Sequence, residues 1–194
     1  MIAGHFGFSA AVKSRELQCP LWALMLATAW LDVVFVPLYL AGIETLEHAP
    51  GASGYGGSII HADYTHSLVG ALLLSAAFGA AAFAAWGRRN ALVLALVAFS
   101  HWVLDLVVHR GDMPILPGNL GSLPRLGFGL WRVPLASMSV ELALVVAGAW
   151  LYWRAARAAA AAAGHGERRA AVAGLFMLFG GVLVLALDVT GALG

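Results

Sequence analysis

The sequence is poor in cysteine and in charged residues. Its single cysteine, Cys19, allows neither an intrachain disulfide nor a cysteine-based zinc cluster. Only 11% of its 194 residues are charged, whereas 61% are hydrophobic and the mean hydropathy is +0.85. A net charge of +1 supplies no strongly basic surface, so nucleic acid is not an expected partner. This composition is typical of an integral membrane protein, and the length indicates a single domain over residues 1–194.

Long apolar segments predict an all-α bundle of about five transmembrane helices. The spans are expected at residues 20–42, 66–86, 91–109, 135–153 and 170–188. Residues 1–13 are apolar but too short to cross a bilayer, so they predict a re-entrant or interfacial segment. Pro37 is expected to bend the first span. Residues 110–134 form a long loop, of a length typical of a lid or a binding loop.

The basic residues predict how this bundle lies in the membrane. With five spans, eight of the 11 lysines and arginines fall on one side, namely Lys13, Arg15, Arg88, Arg89, Arg154, Arg157, Arg168 and Arg169. The positive-inside rule makes that side cytoplasmic. The first span is therefore expected to start in the cytoplasm and the C-terminus to lie outside.

Four ionisable residues recur at helical spacing in and just after the third predicted span: His101, Asp105, His109 and Asp112. At 100° per residue, the last three lie about 40°, 80° and 20° from the first, on one stripe. Ionisable groups at membrane depth are costly unless they face a cavity or a partner, so they are candidate functional residues. Imidazoles and carboxylates are also ligands of zinc and related divalent metals.

Other segments bring further acids and imidazoles to the same depth. At about 1.5 Å per residue, Asp32 and His101 lie level with each other near the bilayer midplane. Glu141 falls in the outer half of the fourth span, and Asp63 and His66 lie at the outer end of the second. Their i, i+3 spacing makes them neighbours on one helical face if the helix begins there. His5 approaches Asp32 if residues 1–13 re-enter the membrane as a helix, and reaches nothing if they form a free tail. Burying any of these charges alone costs several kcal/mol, roughly, so pairing or a shared cation is expected.

Two simpler interpretations stay open from the sequence. The polar residues could form a structural network of Asp–His pairs, with His109, Arg110 and Asp112 in the headgroup region. The outer arginines, Arg110, Arg125 and Arg132, could extend toward headgroups or clamp a phosphate or carboxylate. Glu44, Glu47 and His48 are expected to be solvated in a loop, with an outer metal ligand as the alternative role for any of them.

Several of these motifs together resemble the YdjM-like family of bacterial inner-membrane proteins, which are described as membrane-bound metal-dependent hydrolases. The resemblance covers residues 4–153 and rests on the segments Gly4-His5-Phe6, Asp32, Asp63-Tyr-Thr-His66-Ser67 and Ser100-His101-Trp-Val-Leu-Asp105, followed by His109. It implies a metal-dependent hydrolase and carries over the metal candidates His5, Asp32, Asp63, His66, His101 and Asp105, with His109 and Asp112 in addition.

The leading functional hypothesis is a hydrolase with one or two divalent ions, zinc first, in the outer half of the bacterial inner membrane. Its substrate would be a lipid-like or phosphoester molecule, met among membrane lipids. Asp112 or Glu141 would act as general base or support the ligands, and Arg132 would clamp the substrate. The alternatives are a proton- or metal-coupled transporter that uses the same cluster, and a haem protein with His66 and His101 as axial ligands. The oligomeric state has no signal in the sequence.

Overall fold

The computed structural model describes residues 1–51 and 54–190, and most of them are helical, as the sequence predicts. The α-helices are α1 (Ile2–Lys13), α2 (Leu21–Thr28), α3 (Trp30–Leu40), α4 (Leu68–Val108), α5 (Pro134–Ala162) and α6 (Arg168–Val189), with short 3₁₀ helices at Pro117–Ser122 and Leu130–Arg132. Strands β1 (Thr45–His48) and β2 (Ser58–His61) form an antiparallel pair that the sequence did not predict. The predicted outer C-terminus, residues 191–194, lies outside the described residues.

Helix α4 is a helical hairpin rather than one straight rod. Gly87 interrupts it with a φ of 73° and a ψ of 176°, a backbone conformation that residues other than glycine rarely adopt. A Cβ placed on Gly79 would lie 2.8 Å from the Cβ of Ala95, although 16 residues of straight helix would separate the two by about 24 Å. The chain therefore reverses at Gly87, and residues 68–86 pack along residues 88–108.

Three helices, α4, α5 and α6, are long and apolar enough to cross a membrane. A fourth candidate span arises if α2 and α3, bent by 48° relative to each other, are counted together. The five-span count stays a prediction, since it also counts the two arms of α4 separately.

The bend between α2 and α3 lies at Ala29, and Pro37 remains inside α3. The 48° bend of this predicted span thus lies eight residues before Pro37, and a further bend at Pro37 stays a prediction. Thr28, the last residue of α2, uses its carbonyl and its hydroxyl in tertiary contacts. Its carbonyl oxygen lies 2.6 Å from His101 Nδ1, and its hydroxyl donates to the His5 carbonyl oxygen over 3.2 Å. The break thus leaves the Thr28 carbonyl oxygen beside the candidate site, where it accepts from His101.

The N-terminal helix α1 lies inside the bundle, where it packs against α5, α2 and α6. Its approach to α5 depends on two facing glycines, because a Cβ on Gly148 would overlap the carbonyl oxygen of Gly7. His5 is 3% exposed as a result. The free-tail alternative for this segment is therefore wrong, and α1 delivers an imidazole to the centre of the molecule.

We predict that Gly148→Ala forces α1 away from α5. Overpacking of this kind costs about 1–3 kcal/mol, so the thermal midpoint in detergent should fall by about 2–10 °C. Gly180→Ala is the matched control, because a Cβ at that helical position meets nothing within 4 Å. Equal midpoints for the two variants would contradict the close packing of α1 on α5.

Candidate metal centre

Acids and imidazoles from four segments meet at one buried point. His101 and Asp105 lie on the second arm of α4, His66 precedes its first arm, Asp32 lies on α3 and His5 on α1. Two overlapping groups have the spacing to hold a metal ion, namely His5, His101 and Asp105, and Asp32, His66 and His101. The structure therefore joins residues that lie up to 100 positions apart in the chain.

Three imidazole Nε2 atoms surround one oxygen of Asp105. Oδ2 of this carboxylate lies 3.0 Å from His101 Nε2, 3.5 Å from His66 Nε2 and 3.7 Å from His109 Nε2. Asp105 is 3% exposed, so this oxygen is shielded from water. Whether these Nε2 atoms can bind a cation depends on which ring nitrogens carry protons.

The Nδ1 atoms of His101 and His109 are both committed as donors. His101 Nδ1 lies 2.6 Å from the Thr28 carbonyl oxygen, which can only accept, so this nitrogen carries the proton. His109 Nδ1 lies 2.8 Å from Asp112 Oδ1. Burial disfavours ionisation of Asp112, but hydrogen bonds from His109 and from the Ile60 N–H outweigh it, and the pKa of Asp112 lies below its ordinary value. An ionised Asp112 only accepts, so His109 Nδ1 is also the donor.

A buried relay assigns the proton of His66 in the same way. Glu44 is 0% exposed, and its carboxylate accepts the Thr65 hydroxyl at 3.0–3.1 Å and the backbone N–H groups of Tyr64 and Thr65 at 2.9 and 2.8 Å. Because the Thr65 proton goes to Glu44, its oxygen accepts from His66 Nδ1 over 2.8 Å. The expectation that Glu44 is solvated was therefore wrong, since its carboxylate is buried behind His66.

With all three Nδ1 atoms protonated, three neutral rings would present three Nε2 lone pairs to one carboxylate oxygen. Lone pairs and an anion repel one another unless a cation or an added proton lies among them. A tetrahedral zinc with bonds of about 2.0–2.1 Å has ligand atoms roughly 3.3–3.4 Å apart. His66 Nε2 and His101 Nε2 lie 3.2 Å apart, and each lies 3.5 Å from Asp32 Oδ1. The spacing fits one such ion, whose two charges would balance Asp32 and Asp105.

The same spacing argues against haem. Axial ligation would place a porphyrin between the rings of His66 and His101, but their Nε2 atoms are 3.2 Å apart. Other side chains also occupy the surroundings, since the His5 ring stacks on His101 with centroids 3.9 Å apart. The haem alternative does not fit this arrangement.

A cavity of about 420 Å³ opens onto this cluster. Its polar wall holds the cluster itself, and its apolar wall is formed by Phe35, Val36, Leu46, Ile60 and Trp131. Asp32 is the accessible ligand candidate, with 43% of its side chain exposed. Val36 and Leu46 at the mouth are 50% and 43% exposed. A volume in the range of small-molecule sites thus combines an ionic end with an apolar entrance.

Asp63 lies outside this cluster. Arg125 binds its two oxygens over 2.7 and 2.9 Å, and the same guanidinium donates to the Asp112 carbonyl oxygen over 2.7 Å. The hydrogen bond to Asp63 raises the pKa of Arg125. Helix α4 begins at Leu68, so Asp63 and His66 do not share a helical face. The shared helical face predicted for these two residues was wrong, because Asp63 lies in the turn before α4. Asp63 instead binds Arg125 of the long loop.

The three candidates for catalytic roles lie around the cluster rather than in it. Asp112 orients His109 by accepting its Nδ1 proton. Glu141 is 0% exposed beside α1, where it accepts the Tyr55 hydroxyl over 2.9 Å. Arg132 is exposed, donates to the Arg110 carbonyl oxygen over 3.1 Å and is not among the described residues that line the cavity. Arg132 faces outward because the short helix Leu130–Arg132 turns Trp131 inward instead.

The sequence did not predict the roles of Glu44, Thr65 and the Thr28 carbonyl. Directly or through one another, these groups orient the rings of His66 and His101 by hydrogen bonds at their Nδ1 atoms. Their roles come from long-range contacts that periodicity does not report. One local signal existed: Thr65 directly precedes His66, and a hydroxyl beside a candidate ligand is a typical orienting group.

Comparison with protein families, curated proteins and solved structures finds no match for this chain. Its function must therefore be inferred from the geometry of the site.

We predict that Thr65→Val weakens zinc binding by about 10–100-fold, the usual effect of removing a group that orients a ligand. Valine keeps the shape of threonine but removes the acceptor of His66 Nδ1. Zinc affinity is measured by competition with a chelator of known affinity in detergent. Thr190→Val is the control, since that hydroxyl contacts only Leu187 O at an exposed helix end among the described residues. Unchanged affinity in Thr65→Val would refute the relay.

Proposed function

We propose that this protein is a membrane-embedded, divalent-metal-dependent hydrolase that acts on a lipid-like phosphoester or ester. The observation that carries the proposal is the convergence of three imidazole Nε2 atoms on Asp105 Oδ2, at the inner end of a cavity with an apolar entrance. The resemblance to the YdjM-like family points the same way. Zinc is the first candidate, because its ligands are the imidazoles and carboxylates gathered here.

Some of these residues suit buried ligands of the ion, and another keeps the ion accessible from the cavity. His66, His101 and Asp105 are buried and oriented from behind, which suits fixed ligands. Asp32 reaches the cavity, so it suits either a fourth ligand or a base that takes a proton from water. A divalent ion at such a site lowers the pKa of bound water toward 7 and polarises a phosphoryl or acyl oxygen.

A second ion would need Asp105 to bridge. His101 belongs to both metal-sized groups, but its Nδ1 already donates to Thr28, so its Nε2 can bind one ion alone. His5 Nε2 lies 3.0 Å from Asp105 Oδ1 and donates a hydrogen bond to it, because a carboxylate only accepts. We infer a principal site of one ion; a second ion at Asp105 Oδ1 would have to displace that proton from His5.

The proposed location is the bacterial inner membrane, with five spans and the basic end in the cytoplasm. Two contacts each bring basic segments together, without joining the two groups to each other. Arg89, after the α4 reversal, pairs with Glu16 after α1 over 3.1 Å, and Arg157 pairs with Glu167 across the α5–α6 turn. The site then opens toward the outer half of the bilayer, where an amphiphilic substrate would enter past Val36 and Leu46.

A second candidate function is transport, which one observation favours. Discontinuous helices with exposed backbone carbonyls beside a buried site are typical of secondary transporters. The α2–α3 break at Thr28 is such a feature. Against it, a fully buried apolar cluster that includes Leu24, Ala27, Leu94 and Ala98 fills the bundle on the side of α2. Zinc or proton flux in proteoliposomes would favour transport over hydrolysis.

We predict that His101→Ala and Asp105→Asn each lose bound zinc. Each should also reduce the rate of hydrolysis by more than roughly 100-fold, because loss of a group that merely orients a ligand already costs up to that much. Zinc per chain is measured by elemental analysis after gel filtration, and hydrolysis by phosphate release from short-chain phosphatidic acid. His61→Ala is the control, because His61 pairs with Glu47 at the surface over 3.4 Å. Retention of full zinc by both cluster variants would overturn the assignment.

A further inference from the structure

A long groove separates α2 from α6 on one side of the bundle. Both helices, which the structure describes in full, pack against α1 but not closely against each other. Two cavities of about 410 and 180 Å³ lie along the groove and adjoin, because Phe176 and Met177 of α6 line both of them. Leu21 and Met25 form the α2 wall, and Gly7 of α1 lies on the floor.

The α6 wall of the groove is one continuous stripe. Residues that line the two cavities recur every four positions along this helix, namely Arg168, Val172, Phe176, Gly180 and Val184. The 16 residues of helix between the two ends of this stripe rise about 24 Å. Half of a bilayer, with its headgroup region, is roughly 20–22 Å thick. The groove therefore has about the length of one lipid leaflet.

The groove is apolar along its length and basic at one end. Arg168 and Arg169 line that end, and neither has a carboxylate or aromatic partner among the described residues. The neighbouring arginines of α5 are engaged, since Arg157 pairs with Glu167 and Arg154 lies 4.7 Å from the centre of a tryptophan ring. Two available guanidinium groups at the end of an apolar groove suit a ligand with a phosphate at one end and hydrocarbon at the other.

We propose that this groove binds one anionic phospholipid, with its phosphate at Arg168 and Arg169 and an acyl chain along α6. These arginines belong to the end of the bundle that is proposed to be cytoplasmic, and basic pockets between membrane helices on that side bind anionic headgroups. A second copy of the chain suits the groove less well. Two copies in one membrane orientation would bring their basic ends together, which like-charge repulsion disfavours. The inference stands whether or not the chain binds zinc.

The test measures lipid binding to the full chain. Protein purified in detergent is titrated with dioleoyl phosphatidylglycerol and, separately, with dioleoyl phosphatidylcholine, and bound lipid is counted by native mass spectrometry. The two lipids share their acyl chains, but only phosphatidylglycerol has a net negative charge. The double variant Arg168→Gln/Arg169→Gln removes the basic end of the groove. Arg15→Gln/Arg88→Gln is the matched control, because it removes two exposed charges from the same predicted side that do not line the groove.

We expect one phosphatidylglycerol per chain to bind about 10–30-fold more tightly than phosphatidylcholine, as two basic side chains beside a headgroup should provide. Arg168→Gln/Arg169→Gln should abolish this preference, and the control should keep it. Gly180→Leu should weaken the binding of both lipids. A Cβ at Gly180 meets nothing within 4 Å, so the larger side chain can occupy the groove.

Equal binding of the two lipids by the unmodified chain would overturn the inference. An unchanged preference in Arg168→Gln/Arg169→Gln, an equal loss in the control, or unchanged binding in Gly180→Leu would overturn it too. A dimer that forms through this face and binds no lipid would overturn it and assign the groove to a second copy. Should the double variant fail to fold, the two titrations of the unmodified chain and of Gly180→Leu decide.

Discussion

The candidate site depends on one electrostatic constraint, the meeting of three imidazole Nε2 atoms with the buried carboxylate of Asp105. Each ring has its Nδ1 proton held by an acceptor in the surrounding protein: Thr28 for His101, Asp112 for His109, and Thr65 backed by Glu44 for His66. The Nε2 atoms therefore present electron pairs to an anion. A cation relieves that repulsion, and the ring spacing suits a small divalent ion. An added proton on one ring, as in a structural network of Asp–His pairs, would relieve the same repulsion, so metal loading decides between the two.

The scaffold around this point shows how an apolar chain can build a polar site. Glycines let segments approach closely: Gly7 and Gly148 bring α1 against α5, and Gly87 reverses α4 so that its start lies beside its end. The break at Ala29 frees the Thr28 carbonyl for His101. Each device moves a polar group into the interior without leaving a long stretch of unpaired backbone there.

Long apolar segments were enough to predict the helical class, and helical spacing predicted the stripe of His101, Asp105 and His109. Asp112, predicted on the same stripe, lies beyond the end of α4 at Val108 and contacts the site only through His109. Depth counting also brought Asp32 level with His101. It could not show that Arg125 would bind Asp63, or that Glu44 would be buried behind Thr65, since both contacts depend on how the outer loops fold over the bundle. The short β1–β2 pair and the bend at Ala29 carry no strong sequence signal either. The positions of site residues could thus be predicted where a single helix sets their spacing. Contacts between loops could not be predicted.

The most direct test of this account is zinc X-ray absorption spectroscopy on the purified chain, with the metal content measured on the same sample. The account predicts at least one zinc per chain, bound by nitrogen and oxygen at about 2.0–2.1 Å, with outer-shell scattering typical of at least two imidazoles. A chain that binds no zinc after loading, or binds it without imidazole scattering, would contradict the claim that these imidazoles and carboxylates hold a cation.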